Sequence, residues 1–169
     1  MKTNHFSQVE KVFLQQAGID QVSTKMPYIT VANFPKLGML ASLRFLEWIS
    51  QNPEGLISLP TGKTSEYFIK YTHFFLENWN NKKGQDLLAT YGLSGVKKPD
   101  LRGLQFVQMD EFYPIASVQH NSACNYVEKY YINGFGLDQQ KALLINSDHI
   151  ELTDGKTYRD VFPDLRIDL

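Results

Sequence analysis

The feature that most constrains the fold is a short apolar run followed at once by a turn and a long helical pattern. Leu56-Ile57-Ser58-Leu59 is too short and too apolar for an exposed strand, which predicts a central strand of a parallel sheet covered on both faces. Pro60-Thr61-Gly62 then forms the turn, and from Lys63 to about Trp79 apolar and aromatic residues recur at helical spacing. The sequence therefore predicts a strand, a tight turn and an amphipathic helix in direct succession.

Strand and helix patterns alternate along the rest of the chain. Further strands are predicted at Tyr28-Ile29-Thr30-Val31, over 104–109 and over 142–145, with helices starting near Ser7, Pro35 and Ser122. Ser7 and Glu10 have the spacing of a capping box. The alternation predicts an α/β, Rossmann-like fold with a mostly parallel sheet and helices on both faces. Residues 1–27 are interpreted as an N-terminal helical extension, and the irregular tail from Asn146 to Leu169 predicts a domain truncated at its C-terminus.

Composition excludes several classes of partner. The 169 residues carry a formal net charge of -1, so we expect no nucleic-acid partner and no attraction to a membrane surface. No apolar run is long enough to span a membrane, and one cysteine cannot form an internal disulfide. These features predict a cytoplasmic protein. The four histidines, at positions 5, 73, 120 and 149, lack metal-ligand spacing, so we expect no metal site.

Gly62-Lys63-Thr64 invites comparison with the P-loop of nucleotide-binding proteins. That motif requires another glycine five residues before the Gly-Lys pair, and position 57 is isoleucine. The spacing argues against a P-loop. What remains is a strand, a turn and a helix start, an arrangement whose free backbone N–H groups can bind an anion. An ordinary connection in which Thr61 or Thr64 caps the helix is the alternative.

Two adjacent carboxylates follow the predicted strand over 104–109. Asp110 and Glu111 should face opposite ways, so one of them should face the cleft at the sheet edge that also carries the turn. A carboxylate in a partly desolvated cleft suits removal of a proton next to a carbonyl. The alternative is a pair that caps a strand or loop. His120 likewise could bind substrate or simply precede a helix.

Taken together, three segments resemble glucosamine-6-phosphate isomerase/deaminase. They are Leu59-Pro60-Thr61-Gly62-Lys63-Thr64, Met109-Asp110-Glu111-Phe112 and His120-Asn121-Ser122, in the family's order and with similar separations. The resemblance runs from about Tyr28 to Ser147. It implies that residues 28–169 are the N-terminal portion of a sugar-phosphate isomerase/deaminase domain, an enzyme of amino-sugar metabolism that needs no cofactor.

The resemblance also implies a role for each matched residue. Asp110 is the expected catalytic base at the sugar C2, and the substrate-binding positions are Thr61, Gly62, Lys63, Thr64, Glu111, His120 and Ser122. The partner would be a small sugar phosphate, and a homo-oligomer is compatible with the sequence. Lys63 departs from the family's small residue, and it could add a cation beside the phosphate or obstruct it.

One family motif is missing from the 169 residues. The family carries a later Asp-Gly-His motif, whereas the Asp154-Gly155 pair of this chain is followed by Lys156. We therefore expect the chain to be the first part of a longer enzyme and to be inactive alone. The alternatives are a noncatalytic sugar-phosphate sensor and a hydrolase like 6-phosphogluconolactonase. The match at Met109-Asp110-Glu111-Phe112 favours the deaminase over the lactonase.

Overall fold

The structure is a computed structural model that describes residues 6–17, 28–147 and 152–164. In these ranges short parallel strands alternate with helices. The helices and strands, in chain order, are α1 (Gln8–Ala17), α2 (Phe34–Gln51), β1 (Leu56–Ile57), α3 (Glu66–Asn78), α4 (Lys82–Thr90), β2 (Gln105–Val107), α5 (Ala123–Val127), α6 (Asn133–Phe135), β3 (Ala142–Leu143) and α7 (Tyr158–Val161). None of the described helices is both long and apolar enough to cross a membrane.

Two compact units are formed by discontinuous parts of the chain. The described residues of Met1–Pro53 and Thr64–Asp100 form the first unit, which is helical. The described residues of Glu54–Lys63 and Leu101–Leu169 form the second, which contains all three strands. The predicted division at residue 27 stays a prediction.

The first unit is organised by the packing of α2 against α3. A Cβ atom added to Gly38 would lie 2.4 Å from the Cβ of Tyr67, so the two helices approach more closely than any other residue would allow. Asn33 caps α2 by accepting a hydrogen bond from the Lys36 N–H at 2.9 Å. The core contains Val9, Phe13, Leu43, Leu46, Phe75, Trp79 and Leu88. Helices α1 to α4 therefore share one apolar core.

The capping box predicted for α1 is confirmed. The Ser7 N–H donates to Glu10 Oε2 at 2.6 Å, and the Glu10 N–H donates to Ser7 Oγ at 3.1 Å. Helix α1 is also tied to α2 by polar contacts, because the Gln8 N–H donates to Glu47 Oε1 and Arg44 forms an ion pair with Glu10. Glu47 is only 4% exposed, so this contact fixes α1 at a defined position on α2.

The second unit is built on a parallel sheet with strand order β1-β2-β3. Ile57 pairs with Phe106, and Phe106 pairs with Ala142. Ile57 and Phe106 are buried on one face, whereas Leu56 and Leu143, which belong to the opposite face, are 63% and 68% exposed. The ring of Tyr131 lies 6.1 Å from that of Phe106. The helical segment that carries Tyr131 therefore covers the buried face.

Two predicted strands differ from the structure. Tyr28–Val31 is not a strand, because Ile29 and Val31 pack against the helical core of the first unit instead of pairing with a neighbour. The strand that begins at Leu56 is present, but it lies at one end of the described sheet and β2 is central. In the described sheet Ile57 is buried and Leu59 half-buried, whereas Leu56 and Ser58 are exposed, so this strand is covered on one face and not on both.

A π-helical turn interrupts the helix that begins at Ala123. The sequence predicts a cap within His120-Asn121-Ser122, and in the structure Ser122 is the cap, because its Oγ accepts from the Asn125 N–H at 3.2 Å. The α-helical turns of α5 give way to π-helical geometry over Glu128–Ile132 before α6 completes the segment. Gly136 then ends it with a left-handed backbone at φ +73°. We call the whole of residues 123–135 the covering helix.

Candidate functional site

The turn after β1 has a backbone that requires glycine. Gly62 lies at φ +97°, in the region that side chains disfavour, and no described atom beyond its two chain neighbours lies within 4 Å of the position a Cβ would occupy. Thr61 is half-buried, and Lys63 is exposed. A 3-10 turn over Lys63–Ser65 follows and leads into α3. The open space beside Gly62 leaves the backbone of the turn accessible.

Two tyrosines of the covering helix hold the carbonyl groups of this turn. The Tyr131 hydroxyl donates to the carbonyl oxygen of Pro60 at 2.5 Å, and the Tyr126 hydroxyl donates to that of Gly62 at 3.0 Å. Tyr131 is fully buried, and the two rings meet edge to face with centroids 5.9 Å apart. The turn is therefore fixed to the covering helix through its own backbone.

Asp110 follows β2 and lies at the edge of the sheet that carries the turn. Because β1 and β2 run parallel, their carboxyl ends meet at one edge, as the sequence predicted. The Asp110 side chain is exposed. The backbone carbonyl oxygen of Asp110 accepts from the side-chain amide of the buried Gln108 at 2.8 Å. The Oε1 of the same glutamine accepts from the Ile145 N–H at 2.9 Å. Gln108 thus links the segments that follow β2 and β3.

Glu111 turns away from Asp110 to the start of the covering helix. Its Oε2 accepts from Ser122 Oγ at 2.7 Å and from the Cys124 N–H at 2.7 Å. Its Oε1 accepts from the N–H groups of Ala123 and Phe112, both at 2.9 Å. A carboxylate is the favoured acceptor at this end of a helix, because several N–H groups there have no partner within the helix. Glu111 and Ser122 therefore have structural hydrogen bonds.

The structure brings most of the predicted site residues into the second unit. Thr61, Gly62 and Lys63 form the turn after β1, and Asp110 and Glu111 follow β2. Ser122 is buried at the helix start, and His120 is exposed in the preceding turn. Thr64 is exposed and belongs to the first unit. The substrate-binding and catalytic roles of all eight residues stay predictions.

Sequence reasoning missed Gln108, Tyr126 and Tyr131. The sequence predicts Gln108 only as part of a strand. Because a buried glutamine needs hydrogen-bond partners for its amide, a glutamine inside a strand predicted to be buried could have indicated such contacts. The tyrosines are five positions apart, a spacing that places side chains about 140° apart on a regular α-helix. Nothing in the sequence marks the π-helical turn that changes this angle.

The described residues contain no cluster of metal-binding side chains. Within residues 6–17, 28–147 and 152–164, no three His, Cys, Asp or Glu side chains come close enough to hold a metal ion. His5 and His149 lie outside these ranges. The polar groups of the predicted site residues are backbone N–H groups, hydroxyls, one ammonium, one imidazole and two carboxylates.

Comparison with known proteins finds a similarity of fold. A solved structure of a monomeric glucosamine-6-phosphate deaminase, described as a missing link of the NagB superfamily, matches 72% of this chain with a TM-score of 0.53 and 17% sequence identity. The match spans 43% of the deaminase chain. No protein-family model matches the sequence, and no curated protein matches it. The chain therefore has the α/β, Rossmann-like fold that was predicted, of the kind found in that deaminase.

Proposed function

We propose that this chain supplies the phosphate-binding turn and the catalytic base of an enzyme that converts glucosamine 6-phosphate into fructose 6-phosphate and ammonia. The observation that carries the proposal is that one helix fixes both parts of the site. An N–H group in the first turn of the covering helix donates to the carboxylate of Glu111, the residue after Asp110. Two tyrosine hydroxyls of the same helix donate to the carbonyl oxygens of Pro60 and Gly62. Two groups that act on opposite ends of one small substrate need such a common support.

The turn has the chemistry to bind a phosphate. Among the described residues, the N–H groups of Thr61 and Lys63 donate to no protein acceptor. The two N–H groups flank a glycine with a positive φ, an arrangement of free backbone N–H groups that can bind an anion, and the exposed ammonium of Lys63 adds a charge on the same turn. Charge-assisted hydrogen bonds of this kind are stronger than neutral ones. We therefore assign the phosphate of the substrate to Thr61, Gly62 and Lys63.

Asp110 is the proposed base for the isomerisation. With the sugar ring open, its carboxylate removes the C2 proton of the aldehyde, and a proton is returned at C1. The C2 amine thereby becomes an imine, to which water adds with loss of ammonia. The structure describes Asp110 as exposed, not in the partly desolvated surroundings expected for the base, but it is preferred over Glu111, whose carboxylate already accepts four hydrogen bonds. The complete reaction belongs, in this proposal, to a longer enzyme that also supplies ring-opening groups.

Binding and proton exchange test the two parts separately. Calorimetric titration with glucosamine 6-phosphate should show binding, and glucosamine without phosphate should bind at least about tenfold more weakly, because a charged contact of the turn is lost. In D₂O, proton NMR should show exchange of the substrate C2 proton through the open-chain form, which arises spontaneously in solution and needs no ring-opening groups. Asp110→Asn should abolish this exchange and keep the binding. Asp86→Asn, at an exposed aspartate of α4, is the matched control and should change neither.

Each alternative has its own outcome in this experiment. No phosphate-dependent binding would overturn the proposal. Binding without exchange in the unchanged protein would indicate a sensor, and exchange that survives in Asp110→Asn would reject Asp110 as the base. Hydrolysis of 6-phosphogluconolactone in place of exchange would indicate the lactonase. Release of ammonia and fructose 6-phosphate by the 169 residues alone would contradict the expectation that ring-opening groups must come from a longer chain.

A further inference from the structure

We propose that Tyr126 and Tyr131 are positioning residues that orient the N–H groups of the turn toward the substrate phosphate. This inference rests on the proposed function and extends it to two residues outside the predicted site. Neither hydroxyl needs to touch the substrate. Each acts by holding a carbonyl group of the turn, at Gly62 for Tyr126 and at Pro60 for Tyr131.

The orientation follows from the geometry of the peptide bond. In a trans peptide unit the C=O and the N–H of the next residue lie in one plane and point in opposite directions. A hydrogen bond that directs the Pro60 carbonyl toward the covering helix therefore directs the Thr61 N–H away from it. The same holds for the Gly62 carbonyl and the Lys63 N–H. Both N–H groups are thus aimed at the side of the turn that does not face the covering helix.

The π-helical turn explains how two tyrosines five residues apart can act together. On a regular α-helix such residues lie about 140° apart, too far around the helix to contact one short turn. The wider π-helical geometry over Glu128–Ile132 begins after Tyr126 and includes Tyr131, and the two rings lie 5.9 Å apart, edge to face. A π-helical turn is less favourable than a continuous α-helix and recurs at functional sites. Here it allows a single helix to hold two carbonyl groups.

The surroundings of Tyr131 make its hydroxyl a rigid donor. Its ring is fully buried and contacts the rings of Phe106 and Phe135, with centroids 6.1 Å and 5.3 Å away. Because the ring cannot move without disturbing the face of the sheet, the Pro60 carbonyl is held in one direction. Tyr126 is only half-buried, so its hydrogen bond is the more easily replaced by water. Tyr131 should therefore contribute more to phosphate affinity than Tyr126.

Phenylalanine substitutions test the proposal because they remove only the hydroxyl. Inorganic phosphate and glucosamine 6-phosphate are titrated into the protein, and dissociation constants are measured by calorimetry well below the melting temperature. Tyr126→Phe should weaken both ligands by about threefold and Tyr131→Phe by about tenfold, the range that one hydrogen bond commonly carries. Tyr130→Phe is the matched control, since Tyr130 lies on the same π-helical turn and has no bond to the turn after β1.

Amide chemical shifts distinguish a positioning role from a purely structural one. In ¹⁵N-labelled protein, phosphate should shift the Thr61 and Lys63 amide signals, and these shifts should shrink in Tyr126→Phe and Tyr131→Phe but not in Tyr130→Phe. Unchanged affinities and amide shifts in the two variants would overturn the positioning role while leaving the proposed function intact. No phosphate binding by the unchanged protein would instead overturn the proposed function. If Tyr131→Phe does not fold, the half-buried Tyr126 still decides the outcome.

Discussion

The side-chain amide of Gln108 donates to the carbonyl oxygen of Asp110, two residues further along the chain, at 2.8 Å. The same side chain accepts from the N–H of Ile145, so a single buried glutamine fixes the direction in which the chain leaves two neighbouring strands. Asp110 is therefore held by its backbone, while its carboxylate stays exposed for chemistry.

Replacing Gln108 should disturb both strand ends. Gln108→Leu keeps the volume of the side chain but leaves the Ile145 N–H and the Asp110 carbonyl without their partner, at a cost of about 1–3 kcal/mol in the free energy of unfolding. Urea unfolding followed by circular dichroism measures this loss. Gln105→Leu, at an exposed glutamine of the same strand, is the control and should change stability by less than about 0.5 kcal/mol. Equal effects of the two substitutions would contradict the structural role of Gln108.

Removing the charge of Glu111 should loosen the start of the covering helix. Glu111→Gln keeps one oxygen acceptor but replaces the other with an amide that cannot accept from Ser122 and Cys124, so we expect a loss of about 1–3 kcal/mol. Hydrogen exchange should show faster exchange of the Ala123 and Cys124 amides. Glu54→Gln, at an exposed glutamate of the second unit, should leave both amides protected. Unaltered exchange in Glu111→Gln would refute the anchoring role.

The backbone of the turn can be tested by adding a single methyl group. Gly62→Ala places a side chain at φ +97°, which should cost about 1–2 kcal/mol in stability and weaken phosphate binding. Gly95→Ala is a matched control, because Gly95 lies at φ +74° and also has open space at its Cβ position. Both variants should lose similar stability, measured by thermal unfolding, but only Gly62→Ala should lose affinity. A loss of phosphate affinity in both would show that the effect is not specific to the turn.

The capping box of α1 predicts a dependence of stability on pH. Burial raises the pKa of the Glu10 carboxyl, but the hydrogen bond from the Ser7 N–H and the nearby Arg44 outweigh it and bring the pKa below its usual value of 4.5. A pKa that is lower in the folded state gives stability that is present above the unfolded pKa and is lost as pH falls through the folded pKa. Glu10→Gln should therefore be less stable than the unchanged protein near neutral pH.

The difference between these two proteins should shrink in acid. Urea midpoints measured at about pH 6 and about pH 3 should converge, because protonation removes the contribution of Glu10 from the unchanged protein. Glu77→Gln, at an exposed glutamate of α3, should show no such convergence. A difference that grows on acidification would contradict the assignment of the pH dependence to Glu10.

The sequence predicted the features that depend on local pattern. The capping box at Ser7 and Glu10, the cap at Ser122 and the parallel strands follow from residue types at fixed spacings, and all are present. The strand predicted at Tyr28–Val31 is absent, because a short apolar run packs equally well against helices, and only tertiary context decides between the two. Local pattern therefore predicts helix caps well, whereas the type of a short apolar element depends on the partners it finds.

The candidate site shows the same limit. The turn at Gly62 and the carboxylate at Asp110 were predicted from strand ends, because parallel strands bring their carboxyl ends to one edge. The contacts of Tyr126 and Tyr131 with that turn join positions more than 60 residues apart and depend on a π-helical turn. Neither a long-range contact nor a change of helical geometry has a local sequence signature.

Cys124, the one cysteine of the sequence, is 1% exposed, and its N–H donates to Glu111 at the start of the covering helix. A thiol in this position reacts with an alkylating reagent only when that helix start opens. The rate at which this sulfur is modified therefore reports how often the helix start opens. Phosphate bound to the turn should slow this modification, because two tyrosines of the helix that carries the thiol hold the turn, and mass spectrometry of the intact protein measures the rate.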